Sequence, residues 1–152
     1  MAGVEPFLKS KSFRESPIPL SNARSAFSRS LGEFFLMAMI YHTKNMHVFQ
    51  EQQRRAEWKQ HPVEMTCDKT LAIFGYGDIG AECAKVAKAA IGMKILGVKR
   101  NPDSVPEHQR DWADSFHKMN EAENILGQAD FVLNAMPFTE ETKNYFDYEK
   151  FK

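Results

Sequence analysis

Six residues constrain this chain more than any others: Gly75-Tyr76-Gly77-Asp78-Ile79-Gly80. They follow Thr70-Leu71-Ala72-Ile73-Phe74, an unbroken apolar run that fits a strand buried on both faces. They open a segment that places Ile79, Cys83, Val86, Ala87 and Ala90 on one face at helical spacing. Gly92 stands where a glycine ends a helix, and Lys94-Ile95-Leu96-Gly97-Val98 reads as the next strand. Strand, glycine turn, helix and strand together occupy about thirty residues, the size of one βαβ unit.

A G-x-G-x-x-G pattern alone is weak, and it also fits a glycine-rich turn with no ligand. Between a buried strand and a helix it takes the form that binds a dinucleotide. Gly75 allows the tight turn, Gly77 lets a pyrophosphate approach the backbone, and Gly80 lets helix and strand pack closely. The amides of Asp78 and Ile79 begin the helix and point at the anion. The Asp78 carboxylate is expected to face solvent.

An acidic residue at the end of the second strand would grip the adenosine ribose and favour NAD. This chain has Lys99-Arg100-Asn101 there, two cations suited to a 2′-phosphate, so NADP is the favoured cofactor and NAD the second choice. The competing reading is a solvated basic turn, with Asp103 and Glu107 offsetting its charge.

Residues 1–28 read as irregular, with two prolines in Ser16-Pro17-Ile18-Pro19-Leu20. Ser30-Leu31-Gly32-Glu33 has the form of a capping box. The run Phe34–Tyr41 is apolar nearly all round and is expected to be buried on more than one side. Residues 47–58 suggest a second, more exposed helix ending near Trp58. Beyond Val98, Ser115-Phe116-His117 is a weak strand, Glu121 to Leu126 a short helix closed by Gly127, and Phe131-Val132-Leu133 a strong strand. This alternation predicts an α/β chain: a Rossmann-type doubly wound parallel sheet, truncated, with a remnant of a second domain at the N-terminus. The division expected is 1–28 and 29–152.

The 152 residues, 43% hydrophobic and 26% charged, suit one globular domain. A formal net charge of zero argues against nucleic acid or an acidic membrane as partner. Two cysteines without C-x-x-C spacing suggest a reducing, cytoplasmic setting, and the opening residues do not resemble a signal peptide. No His pair has metal-ligand spacing with a glutamate, so no metal site is expected. His42, His47, Trp58 and Trp112 read as packing residues, Cys83 as a core residue, and Arg54 and Arg55 as a solvated face. The ending Phe151-Lys152, without cap or polar tail, suggests a piece of a longer protein.

Several stretches together resemble the D-isomer-specific 2-hydroxyacid dehydrogenases, especially their glyoxylate/hydroxypyruvate reductase-like members. They are Ala2-Gly3-Val4-Glu5, Ser21-Asn22-Ala23-Arg24 through Phe34, the glycine motif, Lys99-Arg100-Asn101-Pro102, and Ala129-Asp130-Phe131-Val132 through Thr142. The matches keep their order across nearly the whole chain. The resemblance implies that Gly3 and Val4 amides hold the carboxylate of a 2-keto acid. It implies that Asp78 and Ile79 hold the pyrophosphate and that Met136, Pro137 and Thr142 line the adenosine side. Such families carry an acid where Lys99 stands and often a small polar residue where Met136 stands; this chain departs at both.

The family's catalytic arginine, glutamate and histidine fall beyond the position matching Lys152, so no catalytic residue is assigned. The resemblance implies an oxidoreductase of 2-keto acids, a homodimer when full length, and negligible turnover by these residues alone; it also leaves open that the helix with Arg54 and Arg55 is covered by a dimer partner rather than solvated. Two alternatives stay open: a nucleotide-binding sensor or corepressor-like module, and a truncated product without a function of its own. A strand edge left unpaired is expected to promote self-association.

Overall fold

The computed structural model describes residues 5–23 and 25–151. Four strands form one parallel sheet in the order β3-β2-β1-β4: β1 Thr70–Phe74, β2 Lys94–Val98, β3 Ser115–His117 and β4 Phe131–Asn134. Every strand anticipated from the sequence is present. β1 lies at the centre, pairing Ile73 with Gly97 of β2 and with Leu133 of β4.

The side-chain alternation of β1 divides the core in two. Leu71 and Ile73 face one side with Ile95, where α5 (Asp78–Ile91) and α3 (Ser28–Thr43) pack. Ala72 and Phe74 face the other with Leu96 and Val98, under α7 (Ala122–Leu126). Residues 71–74 are fully buried. Each larger side chain among them contributes about 1.5–3 kcal/mol, which is why an unbroken apolar run sits at the sheet centre. Asp130 ties the sheet's near end by accepting the Thr70 amide at 2.8 Å.

α5 ends as anticipated: Gly92 takes φ 84° and donates to Lys88 O at 2.9 Å. Its buried face is Gly80, Ala81, Cys83, Ala84 and Ala87. Ile79 and Ala90, expected on that face, are exposed. The small residues let α5 lie close to the sheet.

The N-terminal region departs from expectation. Residues 5–23 are not wholly irregular, because α1 (Glu5–Leu8) and α2 (Lys11–Arg14) form two short helices. α3 begins at Ser28, before the expected capping box. Turns lead straight into it, with Ser28 N donating to Ser25 O and Leu31 N to Phe27 O. Ser30 is thus already helical, and Glu33 pairs with Arg29 one turn back at 3.3 Å. α3 is also not buried all round. Ser28, Gly32, Met39 and Thr43 face inward, whereas Phe34 is 65% exposed, with Phe27, Leu31 and Met37 exposed beside it.

Left-handed Asn45 (φ 51°) turns the chain into α4 (Met46–Arg54), which stops short of Trp58. Arg54 and Arg55 pair with Glu51 on its solvated surface, as anticipated. Trp58 is 95% exposed and packs no core, which corrects its reading as a packing residue. Trp112 does pack against the α5 side of the core. After β2 come a 3-10 turn at Pro102–Ser104 and the short helix α6 (Glu107–Arg110), where a plain loop was expected. No helix among the described residues is long and apolar enough to cross a membrane.

Candidate functional site

The chain runs from β1 to β2 to β3 in one direction along the sheet, then returns to place β4 on the far side of β1. The direction of winding therefore reverses between β1 and β4, and a crevice opens beyond the carboxyl ends of those strands. The glycine motif lies there. Gly75 has φ 89°, and a Cβ on it would stand 2.5 Å from Met136 N, so both conformation and space exclude a side chain. Its amide donates to Val98 O at 2.9 Å, tying the loop to the end of β2.

Gly80 meets the opposite problem on its helical side: a Cβ would fall 2.8 Å from Gly75 O and 2.9 Å from Ile73 Cγ2. Gly77 is different from both. Its backbone is extended, and a Cβ would meet nothing within 4 Å. Protein contacts therefore give no reason for glycine there; the open space in front of it does, if a ligand fills it. Ala81 N is the first helical amide to bond back, to Gly77 O at 2.8 Å. Among the described residues Ile79 and Gly80 amides have no main-chain acceptor, so the helix start offers donors beyond its end.

The second position of the motif holds a residue that sequence reasoning passed over. Tyr76 is fully buried. Its ring meets Phe116 edge-to-face at 4.9 Å, and its hydroxyl donates to Gln109 O at 3.0 Å. Burial pushes the phenol well above its ordinary range, so it stays a neutral donor. Tyr76 pins the loop from below while the glycines leave its upper surface bare. Nothing in a G-x-G pattern marks such a role.

Asp78 does not simply point to solvent. Its carboxylate accepts from Gln109 Nε2 at 3.3 Å, which turns it toward α6. Cys83 lies in the core as anticipated, with burial and the nearby Glu82 charge pushing its thiol up to about 11. His42 and His47 are exposed and pack with Tyr41 as a surface ring cluster rather than in the core.

A cleft of 670 Å³ opens in front of the loop. One wall is Gly75, Tyr76 and Gly77; a second is Val98, Lys99, Arg100, Asn101 and Ser104. The third follows β4 and carries Met136, Pro137, Thr139, Glu141 and Thr142. The structure thus gathers Gly75, Gly77, Lys99, Arg100, Met136, Pro137 and Thr142 around one cavity, although they span nearly seventy positions. Asp78, Ile79 and Gly80 lie just off its lining, at the helix start. Gly3 and Val4 lie outside the described residues.

Thr142 holds the third wall in shape. Its hydroxyl accepts from Thr139 N at 2.9 Å and donates to Pro137 O at 2.5 Å, while Thr142 N donates to Thr139 Oγ1 at 3.3 Å. Arg100 forms an ion pair with Glu141 across the cleft. Neither Asp103 nor Glu107, the acids expected to offset the basic turn, is its partner. Asp103 instead donates its amide to Asn101 Oδ1 at 3.2 Å. Lys99 is half-buried, its amide bonded to His117 O at 3.0 Å.

A loop with bare donors, open space at Gly77, apolar surface from Val98 and Met136, and cations at the far wall fits an elongated, anionic, partly planar ligand. Comparison with known proteins agrees. Residues 36–152 match the family model of the D-isomer specific 2-hydroxyacid dehydrogenase, NAD binding domain. A glyoxylate reductase of Thermococcus kodakarensis is 30% identical over 108 residues, covering 65% of this chain and 31% of that protein. A D-3-phosphoglycerate dehydrogenase of Methanocaldococcus jannaschii is 28% identical over 140 residues, covering 90% of this chain and 25% of that one. In structure, the chain is similar to a D-isomer specific 2-hydroxyacid dehydrogenase family protein of Aeromonas salmonicida, with a TM-score of 0.79 and 28% identity. That match covers 93% of this chain and 43% of the other. The chain spans less than half the length of each of these relatives. With the family model covering most of its residues, the chain belongs to the D-isomer specific 2-hydroxyacid dehydrogenase family, through that family's NAD binding domain.

Proposed function

We propose that these residues form the nucleotide-holding part of a reductase of 2-keto acids of the glyoxylate/hydroxypyruvate type, using NADP in preference to NAD. The observation that carries this reading is the open face at Gly77, which no protein contact explains and which fronts a cleft with cations on its wall. The Asp78 and Ile79 amides hold the diphosphate at the start of α5, with Gly80 setting the helix close to the strand. The adenosine lies between Val98 and Met136, along the wall that Pro137 and Thr142 shape. Lys99 and Arg100 pair with a 2′-phosphate. The nucleotide, when bound, supplies hydride to the keto carbon. Gly3 and Val4 amides, in the 1–28 segment that joins the substrate domain, hold the keto acid's carboxylate, and residues 29–152 hold the cofactor.

Among the described residues no histidine lines the cleft. The family's proton-donating histidine falls beyond the position matching Lys152, and residues 1–152 alone bind nucleotide without turnover. This behaviour is also that of a sensor-like module, the second reading. The exposed apolar face of α3 (Leu31, Phe34, Met37, with Phe27 just before its first turn) suits burial against a second copy. Cys67 and Cys83 are both free, which fits a cytoplasmic setting.

The test mixes the chain with NADPH or NADH and follows nucleotide fluorescence, then adds glyoxylate or hydroxypyruvate and follows oxidation. Saturable binding, tighter for NADPH, with no oxidation is the expected result. Tighter NADH binding would contradict the cofactor assignment, and measurable oxidation would contradict the proposed lack of turnover.

A further inference from the structure

The acid that the second strand lacks at its end enters the cleft from the other side. Glu141 lies in the turn after β4, forty-one positions from Arg100, yet the two side chains form an ion pair across the mouth of the cleft. Both are exposed, at 75% for Arg100 and 72% for Glu141. Glu141 does not hang on a loose loop, because Thr139 and Thr142 exchange hydrogen bonds on either side of it and Thr142 ties the turn to Pro137. Lys99, by contrast, has no carboxylate partner among the described residues.

We propose that Glu141 is a specificity-determining residue that competes with a nucleotide's 2′-phosphate for Arg100 and so restrains the preference for NADP. This rests on the cofactor reading given above. Arginine is the right group for such a contest: its planar fork pairs a carboxylate or a phosphate in the same way. An exposed carboxylate pair is worth little, so a more highly charged phosphate displaces it. Two effects then oppose NADP binding, the cost of breaking the pair and the repulsion between Glu141 and the phosphate. A nucleotide with plain ribose hydroxyls meets neither. The rival role for Glu141 is to accept hydrogen bonds from those hydroxyls, doing from the opposite wall what an acid at position 99 would do; that role favours NAD.

Equilibrium binding of NADPH and NADH to the chain, to Glu141→Gln, to Arg100→Gln and to the double variant separates these roles. Glu141→Gln should tighten NADPH binding about threefold and change NADH binding by less than about twofold. The gain should vanish when Arg100→Gln is already present, because the contested cation is gone. An NADPH preference unmoved by Glu141→Gln overturns Glu141's role alone. Weaker NADH binding in Glu141→Gln overturns it in favour of the ribose-holding role. A chain that binds NADH more tightly than NADPH, or binds neither, overturns the cofactor reading and this inference with it.

Discussion

Gly77 and Gly80 stand three positions apart and are glycines for different reasons. At Gly80 the protein fills the space a Cβ needs, through Gly75 O and Ile73 Cγ2. Gly80→Ala is therefore expected to lose about 1–3 kcal/mol of stability, read as a lowered midpoint in urea unfolding. At Gly77 the protein leaves the space empty. Gly77→Ala should leave the unfolding midpoint within about 0.5 kcal/mol of the parent. It should still cut NADPH affinity by about tenfold or more, since the methyl stands where the diphosphate approaches. Equal losses of stability in both variants would remove the evidence for a ligand at Gly77. These glycines were legible because their spacing follows from the turn itself. The Arg100–Glu141 pair was not, since only the folded sheet brings the segments that follow β2 and β4 to one cleft. Tyr76 was invisible for a related reason: its partners, Phe116 and Gln109, lie over thirty positions away.

At the scale of elements, Asp114 joins α5 to β2. Its carboxylate accepts from Lys88 Nζ at 2.8 Å and from the Ile95 amide at 2.7 Å. Burial works against its charge, but the Lys88 and Ile95 hydrogen bonds and the charges of Lys88 and Lys94 outweigh it. The carboxyl is held below its ordinary 3.8. A folded-state value below the unfolded one stabilises fully above pH 3.8 and fades as pH falls through the lowered value. Asp114→Asn should thus cost about 0.5–1 kcal/mol at neutral pH, a screened and partly exposed contribution, with the difference from the parent closing in acid. Urea midpoints at several pH values check this; a difference constant down to strong acid would contradict it. β1, β2 and β4 were legible from apolar runs alone, and β3 from only three residues. The start of α3 was not. Ser30 and Glu33 match a capping box, but Ser25 and Phe27 form turns that begin the helix earlier, and local backbone bonds prevail over side-chain capping.

In the molecule as a whole, both edges of the sheet and one helix face are left uncovered among the described residues. β4 pairs with β1 on one side and with no described strand on the other. The outer face of α3 carries Leu31, Phe34 and Met37, with Phe27 just before its first turn. Read as sequence, that apolar run implied burial on several sides; as a structure, α5 covers one side only. If a second copy covers the rest, sedimentation should show concentration-dependent association that Phe34→Gln weakens without lowering the unfolding midpoint. A parent chain that stays monomeric at all concentrations would contradict this. The doubly wound class was readable because strands and helices alternate with short connections. The cleft's shape was not, because its third wall depends on the Thr139–Thr142 turn. The central claim is that main-chain amides at the start of α5 hold a diphosphate. It is tested most directly by titrating ¹⁵N-labelled chain with NADPH and following amide resonances. The largest shifts should fall at Gly77, Asp78 and Ile79, with smaller ones at Lys99 and Arg100. Shifts confined elsewhere, such as the separate hollow beside Trp58 and His61, or no shifts at saturating nucleotide, would contradict the claim.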